Sequence, residues 1–188
     1  MSKLKIFLED NQVQVFTEPE SIARQLEKIN IQFQRWNPKY PVSKTATQEE
    51  ILLAYDEQVK QIQSQYGFQS VDVINMNPNS PQETLNQIRQ KFLSEHTHSD
   101  DEVRYFIEGQ GLFCIHHSNT VYQILCKAGD FIAVPAMTKH WFDMGAKPDF
   151  KCIRFFGEPN GWVAQYTGDD IARAYPLIEE FTNEYHQA

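Results

Sequence analysis

The residues of this chain best suited to chemistry lie in one short segment, Glu95-His96-Thr97-His98-Ser99-Asp100-Asp101-Glu102. His96 and His98 are separated by one residue, so on an extended segment their side chains point to the same side. A bend after them would bring the Glu102 carboxylate to the same point. Imidazole with carboxylate suits Fe²⁺, Ni²⁺, Mn²⁺ or Zn²⁺, and the lack of cysteine in this segment argues against a structural zinc site. The segment predicts a divalent metal site, and a polar loop with two solvated histidines is the alternative.

The region around this segment has the pattern of a β-barrel. From about residue 93, short apolar runs with a period of two are interrupted by turn residues every eight to twelve positions. Strands are predicted at 103–108, 112–116, 121–127, 131–134, 140–143 and 151–156. The predicted fold is mainly β with peripheral α-helices, in a double-sheet antiparallel barrel of jelly-roll type.

Three amphipathic helices are predicted before the barrel. Their start signals are Thr17-Glu18-Pro19-Glu20, Thr47-Gln48-Glu49-Glu50 and Ser80-Pro81-Gln82-Glu83. Apolar residues at helical spacing carry the first helix past Phe33, to end before Pro38. The second is predicted to end at Gly67, and the third carries Phe92 on its inner face.

The chain is predicted to form a single domain over residues 1–188. Its parts are a mainly helical flank at 1–92, a barrel core at 93–157 and a C-terminal helical tail at 158–188. Within these, a strand is expected at 71–76 and helix at 169–185.

Composition limits the partners. The net charge is −8 and the 17 basic residues are not clustered, which argues against nucleic acid. No apolar stretch approaches the ~20 residues that a membrane helix needs, and the amino terminus lacks the apolar core of a secretory signal. A cytoplasmic monomer is expected. Cys114, Cys126 and Cys152 are predicted to be reduced core residues.

Two spacings resemble the two conserved blocks of the cupin superfamily. They are carried by His98, Glu102 and Gly109 in the first block, and by Gly129, Pro135 and His140 in the second. The departures are Gln90 and Met137, where glycine is usual, and Met144, where asparagine is usual. Alone, His140 would be interpreted as a core histidine, but in register with the other three residues it becomes a fourth ligand.

Longer blocks resemble one family, the acireductone dioxygenases, over most of residues 80–176. The blocks are Glu95-His96-Thr97-His98, Glu102-Val103-Arg104-Tyr105-Phe106, Val134-Pro135, His140-Trp141-Phe142-Asp143, Ile153-Arg154-Phe155-Phe156, and the segment from Gly161-Trp162 through Gly168-Asp169-Asp170-Ile171-Ala172. The resemblance implies a cupin-type double-stranded antiparallel β-helix with one Fe²⁺ or Ni²⁺ per chain. It implies the metal ligands His96, His98, Glu102 and His140, and the candidate pocket residues Phe92, Arg104, Phe142 and Arg154.

The resemblance also implies a reaction, in which O₂ cleaves the acireductone 1,2-dihydroxy-3-keto-5-methylthiopentene of methionine salvage. The iron form would make 4-methylthio-2-oxobutanoate, the keto acid precursor of methionine, and formate. The nickel form would make 3-methylthiopropionate, formate and carbon monoxide.

Arg104 is the candidate catalytic residue. It lies two residues from Glu102 on a predicted strand, so it shares the inward face, and a guanidinium stays charged when buried. There it would stabilise the ionised enediolate of the substrate. The alternative is a surface ion pair with Asp100 or Asp101.

The other candidates are less specific. Phe142 shares the face of His140 and would shield the site from water, as would Phe92, although aromatic residues fill barrel interiors in any case. Arg154 is a pocket cation if it points inward and a solvated strand residue otherwise. His116 and His117 are predicted to be exposed histidines at a hairpin tip.

Two rival functions stay open at this point. Another cupin oxygenase or isomerase acting on a different enolisable substrate would share the four ligands. A non-catalytic cupin that senses or stores a small ligand would keep the fold.

Overall fold

The fold consists of two antiparallel sheets that face each other across an apolar core. The computed structural model describes residues 1–36, 40–157 and 163–183. Its strands are β1 (Lys3–Phe7), β2 (Val13–Phe16), β3 (Gln32–Arg35), β4 (Ser70–Met76), β5 (His96–Thr97), β6 (Glu102–Glu108), β7 (Gln110–His117), β8 (Thr120–Lys127), β9 (Asp130–Val134), β10 (Lys139–Asp143), β11 (Phe150–Phe156) and β12 (Gln165–Tyr166). Its helices are α1 (Pro19–Glu27), α2 (Gln48–Ala54), α3 (Asp56–Tyr66), α4 (Gln82–Leu93), a 3₁₀ turn (Ile171–Ala174) and α5 (Ile178–Asn183).

The sheet order confirms the predicted jelly roll of the cupin type. The seven-stranded sheet runs β12-β5-β10-β7-β8-β1-β2, and the five-stranded sheet runs β3-β9-β6-β11-β4. Apolar side chains that alternate along the strands fill the space between the sheets, among them Phe106, Phe113, Phe142 and Phe150. In the seven-stranded sheet β10 lies between β7 and β5, with His140 opposite His96. The strand pairing therefore places two of the predicted metal ligands side by side.

The first helix is shorter than predicted. α1 ends at Glu27, and Phe33 lies in β3 rather than on a helix. Asn30 has a φ of 60°, and the N–H of Ile31 donates to the carbonyl of Leu26, which closes the helix. The predicted capping box at Thr17 is also wrong, because the N-cap is Glu18 and its side chain makes no capping bond. Pro38, the predicted stop, lies outside the described residues.

The later helices follow the prediction with small differences. The capping box of Thr47 is present, but the predicted helix divides at Tyr55, which is fully buried and donates from its hydroxyl to the carbonyl of Tyr40. Gly67, with a φ of 76°, ends α3 as predicted. Pro81 is the N-cap of α4 and not its first residue. No helix in the described ranges has the length and apolar character needed to cross a membrane.

The predicted helical flank also supplies strands to both sheets. β1 pairs with β8, β2 with β1, and β3 with β9, and none of these three strands was predicted. In β1 the buried Leu4 and Ile6 alternate with Lys3 and Lys5, whose ammonium groups lie 5.6 and 4.6 Å from the centre of the Phe181 ring. The strand was missed because two lysines, which are usually exposed, alternate with its apolar residues and here lie against an aromatic ring.

The tail was predicted in part, and the cysteines were predicted correctly. Residues 169–183 contain the 3₁₀ turn and α5 instead of one helix, and the predicted end at 184–185 lies outside the described residues. The three cysteines are free and buried, as predicted. Burial raises their pKa values, to about 12 for Cys152.

Candidate metal centre

The four predicted ligands meet in the interior between the two sheets. His96 and His98 come from β5 and the residue that follows it, His140 from β10 and Glu102 from β6. One donor atom from each residue lies within 4.8 Å of the others, and all four residues are buried. Three imidazoles and one carboxylate form a donor set that suits a divalent transition metal. The chain therefore has a metal-binding site of three histidines and one glutamate.

Backbone carbonyls orient the three imidazole rings. Each Nδ1 lies within hydrogen-bond distance of one carbonyl: Ser94 for His96 (2.7 Å), Val163 for His98 (3.0 Å) and Thr138 for His140 (2.8 Å). A carbonyl can only accept, so each Nδ1 carries a proton, and Nε2 is the nitrogen that faces the candidate metal position. Such contacts fix the tautomer that a metal ligand requires.

Glu102 is the electrostatic centre of the site. Its Oε2 lies 3.0 Å from Nε2 of His98 and 3.1 Å from Nε2 of His140, and its Oε1 accepts from Nε of Arg104 at 2.7 Å. Burial by itself would raise the pKa of Glu102, but the charges of Arg104 and His140 outweigh it and hold the pKa well below its ordinary value. Glu102 is therefore an ionised carboxylate inside the barrel.

The histidines differ in how strongly they hold a proton. Burial, assisted by the charge of His140, lowers the pKa of His96 to about 4. Burial also acts to lower the pKa of His98, but the hydrogen bond and charge of Glu102 outweigh it, and the pKa is raised. His96 is therefore neutral at neutral pH, whereas His98 holds a proton more strongly than an ordinary histidine does.

The turn before His140 forms although it lacks the usual glycine. Met137 has a φ of 63°, in the left-handed region that favours glycine. Its N–H donates to the carbonyl of His98 at 2.8 Å, which ties the turn to the ligand segment. The departure from the cupin pattern at Met137 thus leaves the turn geometry intact.

Arg104 lies inward, beside Glu102, as predicted. Only 3% of it is exposed, and its Cζ is 4.5 Å from the centre of the Phe142 ring and 6.0 Å from that of Phe92. A buried guanidinium among aromatic faces is a strong local cation.

Phe142 is held close to Arg104 by its neighbours. A Cβ added to Gly111, on the adjacent strand β7, would lie 2.3 Å from Cζ of Phe142, so only glycine fits there. Phe92 meets Phe142 edge to face, with ring centres 6.3 Å apart.

A cavity of about 180 Å³ opens onto the cluster. The four ligands and all four predicted pocket residues line it, together with three unpredicted residues, Lys91, Ala164 and Tyr166. Lys91 adjoins Phe92 in sequence, but no spacing in the sequence marks Ala164 or Tyr166. Arg154 lines the edge of the cavity. Its Nε and Nη2 donate to Oδ1 and Oδ2 of Asp72 at 2.7 and 2.5 Å. The block at Gly161-Trp162 lies outside the described residues.

The prediction for His116 is wrong. His116 lies in β7, its side chain is 13% exposed, and its Nδ1 is 2.6 Å from Oε2 of the buried Glu95. The hairpin turns at Ser118, with a φ of 56°, so His116 lies within the strand and not at the tip. His117 is exposed, as predicted.

The jelly roll and its buried cluster of three histidines and a glutamate define a metal-binding enzyme of the cupin superfamily. The sequence profile of the ARD/ARD' family matches residues 6–164. The chain belongs to this family and is a dioxygenase.

Known proteins resemble the chain over nearly its full length. A protein of Aquifex aeolicus named acireductone dioxygenase is 50% identical over 97% of this chain and all of its own length. One of the same name from Hahella chejuensis is 46% identical over 98% of this chain and all of its own. The solved acireductone dioxygenase of Bacillus anthracis, with a cadmium ion in its active centre, is 26% identical with a TM-score of 0.77, covering 88% of this chain and 98% of that one.

Proposed function

We propose that this chain is an acireductone dioxygenase of methionine salvage, which cleaves 1,2-dihydroxy-3-keto-5-methylthiopentene with O₂. Full-length relatives of that name support the substrate. The observation that carries the proposal is Arg104, a buried cation that lines the same cavity as the four ligands. An ionised enediolate is the kind of substrate that such a cavity favours.

One Fe²⁺ or Ni²⁺ ion per chain fits the donor set. His96, His98, Glu102 and His140 would hold it, leaving a net local charge near +1 from the ion and Glu102. When bound, the ion would supply a Lewis acid with coordination positions left for substrate oxygens and O₂. The related structure with cadmium in its active centre supports a divalent ion.

The chain's own residues bind and orient the substrate. The Arg104 guanidinium would donate hydrogen bonds to the enediolate oxygens and stabilise their charge. Phe92 and Phe142 would exclude water from the reacting carbons, because their rings form the apolar wall beside Arg104. Arg154 would add a second positive charge at the cavity edge, held in place by Asp72.

The metal would select the products. We expect the iron form to make 4-methylthio-2-oxobutanoate and formate, and the nickel form to make 3-methylthiopropionate, formate and carbon monoxide. Both sets contain all the atoms of the acireductone and one O₂. The four protein donors would be the same for both ions, so a difference in products would come from the chemistry of the ion and not from the protein.

The test uses one preparation of protein, stripped of metal and reloaded separately with Fe²⁺ or Ni²⁺. Acireductone is supplied under O₂, and carbon monoxide and keto acid are measured. Carbon monoxide from the nickel form alone is the expected result. The variant His96→Ala, taken through the same reloading, controls for free metal in solution. Equal product ratios from both metals would refute metal selection. If neither form consumes acireductone, the proposed function is refuted.

We further expect the enzyme to act as a monomer in the cytoplasm. The monomer follows from the sequence, which shows no unusually apolar face for a partner. Light scattering of the metal-loaded protein should give the mass of one chain.

A further inference from the structure

Residues 163–167, called here the covering segment, form one side of the cavity. β12, within this segment, pairs with β5, so that Gln165 lies opposite Thr97 and Tyr166 opposite His96. The Tyr166 ring stands edge-on to the His96 ring, with centres 5.9 Å apart. Tyr166 and Ala164 both line the cavity. The covering segment thus gives the cavity a wall that neither binds metal nor carries charge.

Both ends of the covering segment are attached to the ligand segment. At one end the carbonyl of Val163 accepts from Nδ1 of His98 at 3.0 Å. At the other end the N–H of Thr167 donates to the carbonyl of Glu95 at 3.1 Å, and its Oγ1 donates to Oε1 of Glu95 at 2.8 Å. The wall is therefore fixed relative to the metal ligands.

Glu95 is a buried carboxylate that is not part of the metal cluster. Only 1% of it is exposed, and its second oxygen, Oε2, lies 2.6 Å from Nδ1 of His116. A carboxylate buried at this depth is costly unless its oxygens are hydrogen-bonded, and His116 and Thr167 provide those bonds. The side chain of Glu95 thus contacts β7 on one side and the covering segment on the other. These contacts suit a residue that positions the covering segment.

A third contact fixes the outer end of Tyr166. Its hydroxyl donates to the carbonyl of Lys91 in α4 at 3.3 Å. The side chain is 55% exposed, so it stands at the rim of the cavity and not in the core. An exposed aromatic ring held by its backbone and its hydroxyl makes a rigid rim.

We propose that Tyr166 determines which apolar tail the substrate can carry, and that Glu95 and Thr167 position it. The inference rests on the proposed function, since it assigns the tail of the same substrate. The polar head is directed to the ligands and Arg104 at the inner end of the cavity. The tail then extends to the outer rim, where Tyr166 and Ala164 line the cavity together with Phe92.

The experiment compares three acireductones with the same head and tails of one carbon, the natural methylthioethyl group, and six carbons. We measure kcat/KM for the wild type, Tyr166→Ala and Tyr166→Phe. In Tyr166→Ala the preference for the methylthioethyl over the one-carbon tail should fall about tenfold, as expected for the loss of an apolar wall contact. The preference against the six-carbon tail should fall too. Tyr166→Phe keeps the ring and should keep most of the wild-type preference.

The positioning roles are tested with Thr167→Val, which removes the hydroxyl with little change of shape, and Thr167→Ser, which retains it. Thr167→Val should shift the tail preference in the same direction as Tyr166→Ala, with metal content as in the wild type. Thr167→Ser should keep the tail preference of the wild type. If Tyr166→Ala changes kcat/KM equally for all three tails, Tyr166 does not determine specificity and the inference is overturned. If the wild type consumes none of the three, the proposed function fails, and the inference with it.

Discussion

Glu102 and Arg104 form a buried ion pair inside the metal-binding cluster, with Nε of Arg104 2.7 Å from Oε1 of Glu102. The other carboxylate oxygen faces His98 and His140. One glutamate therefore divides its two oxygens between the candidate metal position and the Arg104 cation. The ligand set and the buried guanidinium are linked through a single side chain.

Removing an imidazole should remove the metal. We expect His96→Ala and His98→Ala to lose tight binding of the single ion, because each loses one of four donors that converge within 4.8 Å. His117→Ala is the matched control, since His117 is exposed and lies outside the cluster. Elemental analysis of purified proteins measures the effect. Full occupancy in both ligand variants would rule out this assignment of the site.

Metal affinity should depend on pH through His98. Its pKa is raised, so on acidification a proton occupies His98 before the ordinary histidine pKa of ~6.5 is reached. His96, with a pKa of about 4, remains neutral over this range. The affinity should therefore fall as pH is lowered from 8 to 6. Calorimetric titration of the apoprotein with Ni²⁺ at several pH values measures it, and a constant Kd would contradict the prediction.

The ligands were predictable from the sequence because their geometry is local. Residues two apart on an extended strand share a side, which brings His96 and His98 together and likewise Glu102 and Arg104. His140 lies far along the chain and was assigned through its register with the cupin blocks. β10 does lie beside β5 in the sheet, which is the pairing that this register requires.

The covering segment was not predictable, because it depends on contacts between distant residues. Tyr166 reaches the site only through the two-residue ladder between β12 and β5, which is too short to leave a periodic pattern. The hydrogen bonds of Glu95 to His116 and Thr167 span 21 and 72 residues. The predicted extension of the first helix to Phe33 was wrong for a local reason. The spacing of Phe33 from Ile29 is that of a helix, but the left-handed conformation of Asn30 ends the helix before Phe33.

The pairing of Arg89 with Asp143 should stabilise the fold. Arg89 in α4 donates two hydrogen bonds, of 2.7 and 2.9 Å, to Asp143 in β10, whose side chain is 1% exposed. Arg89→Ala would leave that carboxylate buried without its cation, at a cost of about 3 kcal/mol in the free energy of unfolding. Urea unfolding of the metal-free protein measures it.

A control and a second variant make that result specific. Arg173→Ala removes an arginine whose side chain is 82% exposed, and it should change the free energy of unfolding little. Combining Arg89→Ala with Asp143→Asn should recover part of the loss, because the unpaired charge is gone. A loss in Arg89→Ala no greater than in Arg173→Ala would show that the ion pair does not contribute to stability.

Replacing Arg104 should separate metal binding from turnover. Arg104 is not one of the four donors, so Arg104→Ala should retain the metal. It should nevertheless lose activity on the order of 100-fold, because one buried charge that faces the enediolate is removed. Arg104→Lys should recover only part, since an ammonium lacks the planar fork that can bind Glu102 and the substrate together. Metal content and kcat/KM with acireductone are measured on the same samples.

The outcome distinguishes two roles for Arg104. If it acts on the substrate, activity falls while metal occupancy stays near that of the wild type. If it acts only by holding Glu102 in position, occupancy and activity fall together, and saturating the assay with metal restores turnover. Arg173→Ala again serves as the control for loss of an arginine at the surface. Turnover near that of the wild type in metal-loaded Arg104→Ala would refute a role in catalysis, because the guanidinium that lies 4.5 Å from the Phe142 ring would then be dispensable.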